Sequence, residues 1–461
     1  MTTEVLVIGA GPGGYVAAIR AAQLGYDVTM IDKAGELGGM CLHHGCIPTK
    51  AMIHAAQLYH DATHAQELGI LLSGSFDMAK MQAWKRSVVT RLAAGIAELC
   101  RKYEIRVIKA SARFVNPTQV VVEGDSLDFN TIEFRYCVIA TGSRPKALPG
   151  MPFGGRILSS RETIELEKTP STVCVIGGGY IGIELGKMLR KAGSTVTIME
   201  SASGILTLVD PEISAIAMRR LGAIGVEVLV NTKPEKIEAT EQDVRITVNG
   251  QVRAFEYLLV AVGHAPVTDG LQLNAAGVTL DERGFIIIDK QCKTSTHNIF
   301  AVGDVTGGMM LAHKAFAQGK VAAEVIAGQP STFEPACIPA VIFSDPEIGT
   351  VGMREEEARK AYGNIKVGTF PFAALGKAMA ENATEGFVKI ITNVDGVVLG
   401  VHAVGPGVTD YISEAALAIE MGAKAEDIAS TIHPHPTLGE SIAEAAEALL
   451  GKSIHTFQAK K

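Results

Sequence analysis

One motif appears twice in the chain and limits its fold more than any other: an apolar strand, a glycine-rich turn, a helix, a second strand and then a carboxylate. In the first copy Glu4–Ile8 reads as a strand running into Gly9-Ala10-Gly11-Pro12-Gly13-Gly14, and Tyr15–Leu24 reads as a helix ended by Gly25. Gly9 permits the sharp turn, Gly11 lets the backbone approach a pyrophosphate, and Gly14 lets helix and strand pack closely. The helix N-terminus then faces the phosphates. The strand Asp27–Ile31 leads to Asp32, 23 residues after Gly9, the offset of a carboxylate that accepts ribose hydroxyls.

The second copy runs from the strand Thr172–Ile176 through Gly177-Gly178-Gly179-Tyr180-Ile181-Gly182 and a helix to Ala192, then the strand Thr195–Met199 and Glu200, again 23 residues after its first glycine. A lone glycine fingerprint is weak evidence and has a plain alternative, an ordinary strand–helix turn. Two copies with matched flanks and matched carboxylates point to two dinucleotide sites. Glu200 would repel a 2′-phosphate and no Arg follows it in Ser201–Gly204, so the second site is expected to take NAD rather than NADP.

At 461 residues the chain exceeds one ordinary core, and two to four packed units are expected. With 47% hydrophobic residues, 20% charged and 49 glycines, it reads as a tightly packed α/β protein. The net charge of −7 comes with no basic stripe, which argues against nucleic acid as a partner, and the closing Lys460-Lys461 is too short to count. No apolar stretch is long enough for a membrane span, and the first strand follows Met1 too closely for a cleavable leader. A cytoplasmic protein without membrane contact is expected.

Seven cysteines are present, and Cys100, Cys137, Cys174, Cys292 and Cys337 are scattered singly, as buried small hydrophobes would be. Cys41 and Cys46 differ. Five residues apart in a glycine-flanked loop, such a pair in a cytosolic chain signals redox or metal chemistry more often than a structural staple. Two further apolar strands, at Cys137–Ala140 and Leu258–Val262, each run into glycine and then proline, at Gly142–Pro145 and Gly263–Pro266. They look like matched hinges leaving the two nucleotide units. A third strand ends in Gly303-Asp304, either a plain strand-end turn or an acidic group placed to meet sugar-like hydroxyls. The C-terminal third changes character, with strands at Phe387–Thr392 and Val397–Val404, helices at Tyr411–Gly422 and Ala425–Ser430, and apolar faces suited to docking.

The segment Gly38-Gly39-Met40-Cys41-Leu42-His43-His44-Gly45-Cys46-Ile47-Pro48-Thr49-Lys50, taken with both glycine fingerprints, Gly303-Asp304 and a terminal His-Pro…Glu, resembles the pyridine nucleotide–disulfide oxidoreductases over nearly the whole chain. Within that family it is most similar to the dihydrolipoamide dehydrogenases. The resemblance implies an α/β fold with two Rossmann-like domains, one for FAD and one for NAD, and a C-terminal α+β dimerisation domain. The expected division is 1–144 for FAD, 145–267 for NAD, 268–336 completing the FAD domain and 337–461 for the interface. It implies Gly9, Gly11, Gly14, Asp32, Lys50, Thr141, Gly142, Asp304 and Ala312 around FAD, with Gly177, Gly179, Gly182, Glu200 and Gly263 around NAD.

By the same resemblance Cys41 is the interchange thiol and Cys46 the thiol against the flavin, with Cys46 lowered in pKa by the flavin and by a helix start at Ile47-Pro48. Lys50 and Glu184 would pair beside the flavin, unless they are ordinary helix-surface charges. His435 would take the proton from an incoming thiol, with Glu440 holding its tautomer. In the family this histidine serves the disulfide of the other subunit, which makes a homodimer obligatory. The implied reaction is oxidation of a dihydrolipoyl group on a protein of a multienzyme complex, with NAD as acceptor.

Some positions depart from the family pattern. Met40 replaces the usual Thr, His43-His44 replaces Asn and an aliphatic or basic residue, and His264 stands where Arg is common. A metal between the cysteines is conceivable, but the spacing matches no known zinc motif and no metal is expected. Mercuric reductases and large thioredoxin reductases need cysteines near the C-terminus, whereas the last here is Cys337; glutathione-type reductases prefer NADPH, which Glu200 contradicts. A specialised relative with an unusual lipoyl protein or small disulfide as substrate is the second reading. A non-catalytic assembly subunit is the third, opposed by retention of Cys41, Cys46, His435 and Glu440.

Overall fold

The computed structural model describes residues 1–125 and 127–457, so Lys460-Lys461 lie outside the described residues. Val5–Ile8 is apolar on both faces, as a strand buried between two neighbours must be. It pairs in parallel with Val28–Ile31 on one side and with Tyr136–Ile139 on the other. The edge strand Arg106–Lys109 and the short strand Ile299–Ala301 extend the parallel part of this sheet, and Gln119–Glu123 and Ser111–Asn116 join it antiparallel. The chain leaves the first strand between two neighbours reached in opposite directions. That arrangement opens a crevice at the carboxyl ends of the strands.

A second sheet repeats the plan. Thr172–Ile176 lies between Thr195–Met199 and Tyr257–Val260, with Glu227–Leu229 and Ile157–Leu158 at the edges, all parallel. The third sheet is antiparallel and five-stranded, in the order Ala340–Ile342, Glu347–Gly352, Val398–Gly405, Phe387–Asn393, Ile365–Pro371. The helices Val408–Glu420, Ala425–Ser430 and Glu440–Leu449 bury Ile412, Ile428 and Ile442 in its core. The architecture is α/β with two doubly wound sheets and a C-terminal α+β unit.

The two Gly-Pro exits pair with each other rather than standing as free hinges. Ser143–Pro145 and His264–Pro266 form an antiparallel ribbon that ties the first sheet to the second. Antiparallel strands also extend beyond the sequence reading. Lys236–Ala239, Val244–Val248 and Gln251–Phe255 make a small sheet whose last turn is the two-residue Asn249-Gly250, both with positive φ. Asn-Gly between alternating apolar residues is the hairpin signal that would have found it. Of the scattered cysteines, Cys100, Cys137, Cys174 and Cys292 are buried as expected, but Cys337 is only half-buried, because its segment lies at the edge of the third sheet. Among the described residues no helix is long and apolar enough to cross a membrane.

The fingerprint glycines divide into two kinds. A Cβ on Gly14 would stand 1.9 Å from the Gly9 carbonyl oxygen, and one on Gly182 would stand 2.1 Å from that of Gly177, whereas nothing lies within 4 Å of a Cβ on Gly11 or Gly179. Gly14 and Gly182 therefore set the helix–strand approach, while Gly11 and Gly179 leave space. Gly14→Ala is expected to destabilise the fold by about 2–3 kcal/mol through overpacking against backbone. Gly11→Ala should stay within about 0.5 kcal/mol. Thermal midpoints of the two variants check the contrast.

Candidate active site

The Cys41–Cys46 segment follows the second strand of the first sheet, Val28–Asp32. Gly38 and Gly39, at φ +97° and +55°, turn the chain into the short helix Gly39–His44, and Gly45 breaks it so that Cys46 opens the helix Cys46–Thr63. The helix start expected at Ile47-Pro48 thus begins one residue earlier, on the cysteine itself. Cys41 and Cys46 are free, partly buried thiols. Cys46 is pulled down to about 7, first by the hydrogen bond from the Cys41 thiol, against the opposing effect of burial, and then by the Lys50 charge and the backbone at the helix start. Cys41 is pushed well up by the same hydrogen bond, by burial and by the charge on Cys46. The pair is therefore polarised, with thiolate on Cys46 and thiol on Cys41. Among the protein groups the neighbouring thiol is the largest cause, ahead of the helix start.

One turn along the same helix, Lys50 Nζ lies 2.8 Å from Glu184 Oε2 and 4.6 Å from the centre of the Phe343 ring. Glu184 is 2% exposed, so it is not a surface charge. Its other oxygen accepts the Phe343 backbone N–H at 2.9 Å, a partner that sequence reading missed.

These groups share one open cavity of about 400 Å³ with Gly9, Gly11, Asp32, Thr141, Gly142, Asp304 and Ala312. Gly14 is beneath it, in the helix–strand contact. Asp32 is held by the backbone N–H groups of Ala10, Ala34, Gly35 and Glu36, and Asp304 accepts the Ser143 hydroxyl at 2.7 Å. The helix Pro12–Gln23 has no side-chain cap, so its first N–H groups face the glycine turn without a protein partner on the cap residue. An elongated dinucleotide with phosphates at that helix start, a ribose at Asp32 and a hydroxyl chain at Asp304 fits these donors and acceptors. Tyr180 and His264 line the same cavity; burial holds the His264 imidazole below its ordinary value.

At the second turn, Glu200 accepts the Gly178 and Ala202 N–H groups at 2.7 Å each, and the helix Tyr180–Lys191 likewise lacks a side-chain cap. Gly177, Gly179 and Gly263 stand at the carboxyl ends of this sheet, and no basic side chain hydrogen-bonds Glu200 among the described residues. This is a dinucleotide turn suited to a free 2′-hydroxyl.

His435 and Glu440 form their own dyad, with Nδ1 2.7 Å from Oε1, and Glu440 Oε2 accepts the Thr437 N–H at 2.6 Å. The His435–Pro436 peptide is cis. The His435 side chain is 76% exposed and does not line the cavity that holds Cys41. His433 instead bonds Glu414 and the Thr431 carbonyl. Among the described residues no group of three or more His, Cys, Asp or Glu side chains is arranged to hold a metal ion.

The polarised pair gives a pH signature. Thiolate on Cys46 is populated above about pH 7 and is lost as pH falls through that value. In the reduced protein, Cys41→Ala removes the donated hydrogen bond and Lys50→Met removes the cation, so each is expected to move the midpoint upward by about one unit or more. A pH titration of thiolate absorbance, with Cys46→Ser as the blank, checks this.

Residues 3–319 match the family model "Pyridine nucleotide-disulphide oxidoreductase", and residues 338–446 match its dimerisation domain. The dihydrolipoyl dehydrogenase of Geobacillus stearothermophilus is 48% identical over 98% of this chain and 97% of its own, and dihydrolipoyl dehydrogenase 2 of Haloarcula marismortui is 44% identical over 98% of each. Among solved structures, LpdA from Mycobacterium tuberculosis superposes with a TM-score of 0.90 at 26% identity, over 97% of this chain and 99% of its own. The HOCl-induced flavoprotein disulfide reductase RclA from Escherichia coli superposes with a TM-score of 0.87 at 28% identity, over 96% and 99%. The chain belongs to the pyridine nucleotide-disulphide oxidoreductase family.

Proposed function

We propose that the chain is a flavoprotein that oxidises a protein-bound dihydrolipoyl group and reduces NAD, using FAD, the Cys41–Cys46 pair and a histidine from a second copy of itself. The observation that carries this reading is the Cys41–Cys46 pair lining one cavity with the Lys50–Glu184 ion pair and the first glycine turn, in a chain 48% identical to a dihydrolipoyl dehydrogenase. In the working division, 1–144 and 268–336 hold FAD, 145–267 hold NAD and 337–461 form the interface. The scattered unpaired cysteines support a reducing, cytoplasmic setting.

The residue chemistry follows from the polarity. The substrate dithiol gives a proton to His435, whose Nδ1 is held by Glu440 so that Nε2 is the basic atom. The resulting sulfur attacks Cys41 of the disulfide, and Cys46 leaves as the thiolate that its surroundings favour. The second substrate sulfur displaces Cys41, releasing a cyclic disulfide and leaving Cys41 as thiol. FAD supplies the two-electron passage from this dithiol to the nicotinamide. Lys50, fixed by Glu184 and facing the cavity, supplies positive charge where electron density collects.

His435 is solvent-exposed in the single chain and outside the Cys41 cavity, which supports its acting on a partner. His435→Gln is expected to lower dihydrolipoamide-dependent NAD reduction by about 10²–10⁴-fold while the oxidation of NADH by an artificial quinone acceptor persists. A co-expressed heterodimer of His435→Gln with Cys46→Ser should recover about half of the wild-type rate, because one of its two sites then has both groups intact. Recovery of nothing would place both residues in one subunit's site. No turnover with dihydrolipoamide beside turnover with another dithiol or small disulfide would favour the specialised enzyme suggested by Met40, His43 and His44.

A further inference from the structure

His43 and His44 stand between the redox cysteines and have no part in the chemistry above. The helix that carries Cys41 is only six residues long and has no side-chain cap at either end. A helix this short does not hold itself. Its fastening is external: His43 Nε2 lies 2.9 Å from the Leu37 carbonyl, and His44 Nε2 lies 2.8 Å from Glu36 Oε2. Both rings reach back to one short segment, Glu36-Leu37.

That segment is itself fixed. Glu36 gives its N–H to Asp32 Oδ1, the Asp32 Oδ2 accepts the Ala10 N–H, and the Gly38 N–H donates to the Ala10 carbonyl at 2.8 Å. The fastening therefore runs from His44 through Glu36 and Asp32 into the first glycine turn. His44 Nδ1 is buried without a partner, which assigns the proton of the neutral ring to Nε2, where Glu36 accepts it. Cys41 is three residues before His44 and Cys46 two after it, so restraining this side chain restrains the backbone that sets the spacing of both sulfurs.

We propose that His44 and Glu36 are a positioning pair that keeps Cys41 and Cys46 at disulfide-forming separation and so favours the disulfide over the dithiol. The equilibrium between an internal disulfide and an external dithiol rises with the effective concentration of one thiol at the other, which loosening would reduce. In the exchange with dithiothreitol, the protein S–S bond breaks, two cysteine thiols form, and the reagent closes its own S–S bond. Two electrons and two protons pass, and no other oxidant enters.

The test equilibrates the holoenzyme anaerobically in dithiothreitol redox buffers without nicotinamide, quenches in acid, alkylates, and reads the oxidised and reduced peptide spanning Cys41 and Cys46 by mass. His44→Val is expected to lower the disulfide-to-dithiol constant by about fivefold to tenfold, tenfold being about 30 mV for a two-electron couple. Glu36→Ala should give the same shift and the double variant no more than about the larger single effect, because the two act as one unit. His44→Gln, whose amide N–H can reach Glu36, should return the constant to within about twofold of the parent. The proposal is overturned if His44→Val and Glu36→Ala leave the constant unchanged while only the thermal midpoint falls, or if His44→Gln does not restore it. Should His44→Val fail to fold, Glu36→Ala at a partly exposed carboxylate decides alone. Because the reagent replaces the physiological substrate, failure here leaves the proposed reaction standing.

Discussion

A buried carboxylate holds the three parts of the molecule in one arrangement. Glu184 comes from the helix of the second glycine turn, Lys50 from the helix that Cys46 opens, and the Phe343 N–H from the end of the first strand of the antiparallel sheet. A charge at 2% exposure must be paired, and losing one partner of such a pair typically costs of order 3–5 kcal/mol, less here because Lys50 remains about one-third solvent-exposed. The geometry that satisfies Glu184 also places the Lys50 ammonium in the cavity. Stability of the junction and electrostatics of the site are thus one requirement.

The same economy governs the cysteines. Opening a helix with Cys46 gives that sulfur the favourable end of a backbone dipole, while Cys41, one short helix earlier, is left to donate its proton. Two chemically identical residues acquire opposite tasks from their position relative to one glycine break. The dinucleotide cavity, the ion pair and the thiols converge because the strand ends, the Cys46 helix and the Ser143–Pro145 ribbon all point to the crevice where the first sheet reverses its strand order.

Much of this was legible in the chain. Thr172–Ile176 and Thr195–Met199 have the boundaries read from sequence, since each is a short β-branched, largely apolar run, stopped by Gly177 in the first and by Glu200 in the second. Legibility failed where partners are distant or made of backbone. No pattern announces that the Phe343 N–H meets Glu184 or that Ser143 meets Asp304, because such pairs exist only after the sheets assemble. The two Gly-Pro exits were read as hinges because each looks like a free turn alone; their antiparallel pairing depends on a partner more than 100 residues away.

In the proposed reaction, substrate electrons rest first on the Cys41–Cys46 pair. This order is tested most directly by mixing the oxidised holoenzyme anaerobically with one equivalent of dihydrolipoamide in the absence of NAD, then recording flavin absorbance and counting thiols on the Cys41–Cys46 peptide after acid quench. Two new thiols on that peptide are expected while the flavin remains oxidised. Bleaching of the flavin with the peptide still disulfide-bonded would contradict it.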